Sequence, residues 1–139
     1  MLTSQKASFT LEDFKVPKFS YDEGNDNDSN LKIGFIPSGR YSQIKGEFEL
    51  TLMLITHDSQ DSSKVIFELT SIATFKFKEL LTLSDIPPYF YINAIAIMFP
   101  YVRAFVSTLT LQANTKLLKL SLMNLSKLEK PLIENTIEI

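Results

Sequence analysis

Residues 93–114, NAIAIMFPYVRAFVSTLTLQAN, constrain the fold more than any other stretch of this chain. Ile92, Ile95, Phe99, Val102, Val106, Leu109 and Ala113 recur three and four residues apart, the spacing that lays side chains along one stripe of a helix. Apolar character spreads beyond that stripe through Ile97, Met98, Tyr101 and Phe105, so one small sheet is too narrow to hide the whole helix. Burial against a sheet and also a neighbouring subunit is the expectation. Pro100 has no N–H to give the carbonyl of residue 96 and is expected to kink the helix or to open a second one. Arg103 is the sole charge between Ile86 and Thr115, and its tip needs water, a carboxylate or carbonyl groups. The charge-free run 86–102 is short for a membrane span, begins with Pro87 and Pro88, and contains Asn93. No membrane insertion is expected.

Most of the chain before this helix alternates with a period of two, which argues against a wholly helical fold. Phe14, Val16, Phe19 and Tyr21 alternate weakly around Pro17, which suits a sheet edge or a bend. Residues 22–30, DEGNDNDSN, read as a polar loop. Twelve positions from Asp22 lead to Ile33, where a calcium loop of the EF-hand kind needs a glutamate. Leu31, Ile33 and Phe35 alternate before Pro37, Ser38 and Gly39, which read as a turn. A long strand is then expected, with Ile44, Phe48, Leu50, Leu52 and Leu54 on one face and Lys45, Glu47, Glu49 and Thr51 on the other. Met53 and Ile55 make the far end of that second face apolar, as if something covered it.

Residues 57–63 read as a hairpin connection, followed by a second long strand with Val65, Phe67, Leu69, Ala73, Phe75 and Phe77 inward. Pro87 and Pro88 then allow a new helix to start. Residues 117–125 form a last apolar segment, strand-like at first. For the short tail, residues 129–139, helix, added edge strand and loose chain all stay open. The whole chain, 1–139, is expected to form a single α+β domain.

The chemistry is sparse. A net charge of -2 gives no global attraction to nucleic acid, and the absence of cysteine excludes disulfides and thiolate metal sites. The first residues lack the basic start and continuous apolar run of a secretory signal, which predicts a cytoplasmic protein. His57, the single histidine, reads as an exposed loop residue. No nucleophile, acid–base pair or phosphate loop stands out, so neither enzyme activity, a metal nor a cofactor is expected. Glu47, Glu49 and Glu68 read as a solvated sheet face, or as an acidic docking surface for a basic partner. Aromatic residues crowd the late strand and the helix; most should build core, while some could line a groove that accepts extended polypeptides.

The stretch Asn93-Ala-Ile-Ala-Ile-Met-Phe-Pro-Tyr-Val-Arg-Ala-Phe-Val-Ser107 resembles the SecB family of export chaperones and its SecB-like relatives, with Phe99, Pro100, Tyr101 and Arg103 on the family's Phe-Pro-Tyr-x-Arg core. The stretch Leu117 to Leu125, including Asn124 and Leu125, resembles that family's final strand and asparagine-containing crossover, and the likeness covers roughly residues 10–128. It implies a four-stranded antiparallel sheet with a long helix packed on one face. It also implies a homotetramer built as a dimer of dimers, with a dimer as the lesser assembly. The function implied is ATP-independent binding of unfolded or precursor polypeptides in apolar grooves. The partner beyond the client would be the SecA motor in export or, as in some SecB-like relatives, an antitoxin of a toxin–antitoxin pair. The chain departs from the family where residues 113–118, ANTKLL, replace a Gly-x-Pro-Pro-like loop.

On this reading Phe75, Phe77, Tyr89, Tyr91, Leu118 and Leu120 are the groove residues. Phe99, Tyr101, Arg103, Phe105, Val106 and Leu109 serve core and assembly. A non-enzymatic adaptor that recruits one folded protein is the competing class.

Overall fold

The two long alternating segments become strands, and their apolar faces become the floor of the core. The computed structural model describes residues 8–23, 31–59, 61, 63–115, 118, 120 and 124–139. In order, the chain forms β1 (Phe9–Tyr21), β2 (Leu31–Ser42), β3 (Glu47–Asp58), β4 (Val65–Phe77), α1 (Pro88–Gln112), α2 (Glu129–Glu134) and β5 (Thr136–Glu138). Short 3-10 turns lie at Leu83–Asp85 and Leu125–Leu128. Residues 24–30 of the expected polar loop, and 117, 119 and 121–123 of the expected last apolar segment, lie outside the described residues.

The strands form one sheet in the order β1-β4-β3-β2-β5. The first four pair antiparallel, while β5 lies parallel to β2 along Gly39–Tyr41. The expected four-stranded antiparallel sheet is therefore a five-stranded mixed one. The cause is the tail: α2 ends after a few residues, and the chain then reaches the β2 edge, where Gly39 N–H donates to the Asn135 carbonyl and Ile139 N–H to that of Tyr41. Three residues of strand are too few to display a period in the sequence.

Phe48, Leu50, Leu52 and Leu54 of β3, with Phe67, Leu69, Ala73 and Phe75 of β4, are wholly buried. α1 lies over them with Phe90, Ile95, Met98, Val102 and Val106 equally buried. Phe90 anchors the start of the helix. Its ring centroid is 4.8 Å from those of Phe9 and Phe77, 4.9 Å from Phe48 and 5.7 Å from Phe75, several of them in the edge-to-face geometry that ring quadrupoles favour.

Pro37, Ser38 and Gly39 do not turn; they continue β2. Odd-numbered residues of β2 aim their N–H away from β3, as Gly39 does toward Asn135, and Pro37 occupies such a position just before β5 begins. A missing donor costs nothing there. Gly39 is needed for a different reason: a Cβ at this position would collide with the Phe48 ring and with Thr136 Oγ1. The turn instead spans residues 43–46, with Gly46 at φ 65 and Ile44 exposed in the turn rather than inward on the strand.

Pro17 marks an irregular edge strand, in line with its sequence. Among the described residues β1 pairs with β4 alone, and its register shifts between Leu11 and Asp13 and again between Lys15 and Lys18. These two bulges explain the weak alternation. Each inserts an extra residue, so Leu11, Phe14, Phe19 and Tyr21 all reach the helix side of the sheet despite their uneven spacing.

Pro100 neither divides α1 nor ends it. Ala96 and Pro100 are both exposed, so the carbonyl that loses its donor faces water. The helix closes on Asn114, at φ 59, with Asn114 N–H donating to Leu111 O and Thr115 N–H to Thr110 O. That pair of bonds is a Schellman cap.

Tyr41, also buried, donates its hydroxyl to the carbonyl of Leu81. Burial, reinforced by the charge of Glu138, holds its phenol above the ordinary 10.0. As pH climbs through that value the unfolded chain releases the proton first, so folded stability falls from there up to the folded value. Tyr41→Phe is expected to cost about 1 kcal/mol at neutral pH by leaving the carbonyl without its donor. It should also lose less stability than the parent above pH about 10. Urea unfolding of both proteins on either side of that pH checks the sign.

Candidate functional site: an open aromatic flank

A helix lying on a sheet has two flanks, and here they are finished differently. On the β2 side, Phe99 meets Phe35 with ring centroids 5.7 Å apart, and the chain returning from α1 seals the seam. Ser107 Oγ donates to Leu118 O at 3.5 Å, and Leu118 N–H donates to Thr110 Oγ1 at 3.1 Å. Leu120 and Leu132 are buried, and Leu125 and Leu128 pack against the core. Arg103 belongs to this side, its guanidinium 6.0 Å from the Phe99 ring centroid, so the cation rests over an aromatic face.

On the β1 side, among the described residues, no element follows. Phe14 stacks against Tyr101 and Phe19 against Phe105, each pair with centroids 5.3 Å apart. Phe19 and Tyr101 remain 49% and 48% exposed, and Ile97, one helical turn before Tyr101, 39%. This aromatic row runs beside β1, an edge strand paired, among the described residues, with β4 alone. An apolar wall and a line of backbone groups thus lie side by side. Together they can take an extended polypeptide or another apolar surface, with little demand on its sequence.

The sequence-derived groove does not assemble. Phe75, Phe77 and Tyr91 are buried around Phe90 and Phe48 at the start of α1, and Leu120, in the chain returning from α1, is buried as well. Leu118 is half-buried beside Thr110, and Tyr89 alone of the six is broadly exposed. The assembly set divides as well: Phe99 and Val106 are buried, Leu109 is partly so, and Tyr101 and Phe105 stand on the open flank. Phe14 and Phe19 were the members sequence reasoning missed. Their aromatic character in an edge strand was the available signal, hidden by the bulges.

Glu47, Glu49 and Glu68 all face the helix-free side, but not as one acidic surface. Glu47 lies opposite Lys76, Glu49 opposite Arg40, and Glu68 at the far end opposite Ile55. His57 is not in a loop; it occupies β3, half-buried, between Lys32 and Val65 in register. Its Nδ1 is buried without a hydrogen-bond partner. Among the described residues no cluster of His, Asp or Glu is arranged to hold a metal ion. By length and composition alone α1 would suffice to cross a membrane, yet its underside is committed to the sheet.

No protein-family model matches this chain, and no curated protein does. Among solved structures it is similar to a SecB-like chaperone of Mycobacterium tuberculosis, determined in complex with a ChAD peptide from the HigA1 antitoxin. The TM-score is 0.65 at 14% identity, over 84% of this chain and 88% of that one. The fold is SecB-like. A protein of unknown function from Streptococcus agalactiae also aligns, with TM-score 0.40 and 13% identity over 82% of this chain and 97% of that one.

Proposed function

We propose that this protein is a cytoplasmic, non-enzymatic chaperone that holds unfolded or precursor polypeptides without ATP. The observation that carries the reading is the open flank: two half-exposed aromatics, Phe19 and Tyr101, stand in a row beside a sheet edge that no further strand covers among the described residues. The SecB-like fold supports it. Covering about 600 Å² of apolar client would contribute on the order of 15 kcal/mol gross, much of it offset by ordering the client. One flank is then a weak holder, and joining copies into a dimer, or a dimer of dimers, raises retention through effective concentration. Such holding needs no nucleotide, since binding the unfolded state shifts a client's equilibrium by mass action.

An antitoxin segment is the client that the mycobacterial structure favours, because that chaperone was solved with an antitoxin peptide. Export through SecA has weaker support here, since Glu47 and Glu49 face cations across the strands and Glu68 lies apart from them. The test is suppression of aggregation, measured with one client supplied reduced and unfolded and again supplied folded. Selective protection of the unfolded form is expected. Equal action on both, or recovery of a single folded protein that unfolded competitors do not displace, would replace the chaperone with an adaptor.

A further inference from the structure

The helix-free face of the sheet carries a second surface, separate from the open flank. Successive register pairs place Ile72 of β4, Met53 and Ile55 of β3, and Ile36 and Gly34 of β2 on this face, in a diagonal apolar strip. Ile36 is 50% exposed, and the helices pack on the opposite face. Gly34 lies beside Ile55 and leaves a dent: an added Cβ there would meet only the Ile55 carbonyl, at 3.9 Å.

The charges around the strip say what fits it. Lys15 and Lys18 of β1 stand at one end, in register with Ile72 and Thr70. Lys32 stands at the other end, opposite His57. Among the described residues the strip itself holds one carboxylate against these three lysines, Glu68 opposite Ile55, with Asp22 beyond it beside Ile66. Glu49, Asp13 and Arg40 belong to the next row toward the residue 43–46 turn.

We propose that this strip docks an acidic amphipathic helix of a partner protein, with an apolar stripe on Ile36, Met53, Ile55 and Ile72, a bulky side chain over Gly34, and carboxylates at Lys15, Lys18 and Lys32. From β1 to β2 is three strand spacings of about 4.8 Å, roughly 14 Å, and Lys32 lies about 13 Å farther along the strands than the row of Lys18, so the diagonal is roughly 20 Å, which about four helical turns span. The apolar stripe supplies burial, and the bracketing charges fix direction and exclude basic helices.

The probe is a synthetic four-turn helix with leucines at i, i+3, i+4 and i+7 and glutamates at both ends, compared with the same helix ending in lysines. Titration of the intact protein should give at least about tenfold tighter binding of the glutamate form, weakening as salt is added. Gly34→Val fills the dent at a strand position with room for a side chain. It should weaken that binding about tenfold or more while the unfolding midpoint does not fall. Lys15→Glu with Lys18→Glu should invert the preference between the two helices. Equal binding of both, binding of neither, or a concentration-dependent dimer that Gly34→Val dissolves in place of peptide binding would overturn the assignment.

Discussion

Charging the open flank with Phe19→Glu and Tyr101→Glu together is expected to abolish holding of unfolded polypeptide while the chain still folds. Both side chains are about half exposed, so each has a substantial apolar area left to offer a client. Losing two such contacts removes about 3 kcal/mol, or roughly a hundredfold in affinity, before counting the cost of desolvating two carboxylates. The fold loses less. The Phe14–Tyr101 and Phe19–Phe105 ring contacts are worth about 0.5–1.5 kcal/mol each beyond area burial. Aggregation suppression, read beside far-UV circular dichroism and a urea titration, separates the two effects. Thr74→Glu on the helix-free face is the control and should leave holding unchanged. Full activity in the double variant would remove the flank from the mechanism.

Phe90→Ala is expected to have the largest effect on stability. Phe90 is wholly buried and meets Phe9, Phe48, Phe75, Phe77 and Tyr91, so truncation opens a cavity at the joint between α1, the sheet and β1. Removing a buried Phe typically costs about 3–5 kcal/mol, against a total of about 5–15 kcal/mol for a domain. Equilibrium urea unfolding should show a lower midpoint with an unchanged slope. A loss under about 1 kcal/mol would mean that the cluster is not packed as described.

The parts legible in the sequence were those with a strong, uninterrupted period. β3 and β4 alternate cleanly from Phe48 and from Phe67 onward, and α1 repeats its apolar residues three and four apart, so the middle of each buried face was readable, while Ile44, Val65 and Ala113, expected inward, are exposed at the element ends. The parts that were not legible turn on devices that break a period or precede pairing. Bulges at Glu12 and at Val16 and Pro17 put Phe14 and Phe19 on one face, where strict alternation would separate them. Gly39 and Pro37 carry turn chemistry, but a ring lying over Gly39, and a place for Pro37 where the backbone N–H would aim away from β3, keep the chain straight. β5 exists because β2 offers an edge, which no local pattern announces.

Most of the groove residues expected from the sequence lie in the core for a related reason. Aromatic density located the core at Phe75, Phe77 and Tyr91, because large rings go where most area can be buried. Which aromatics remain available depends on which flank of α1 the returning chain covers. That is decided by Leu120, Leu125, Leu128 and Leu132, all distant in sequence from Phe14 and Phe19.

Amide hydrogen exchange with and without an excess of an unfolded client, at fixed protein concentration, tests the central claim most directly. If the β1 edge and its aromatic row form the client surface, the client should add protection along β1 and slow local opening of α1 around Ile97, Tyr101 and Phe105, leaving β5 and α2 unchanged. New protection confined to the sealed side, at β2, α2 and β5, with β1 unaffected, would contradict it.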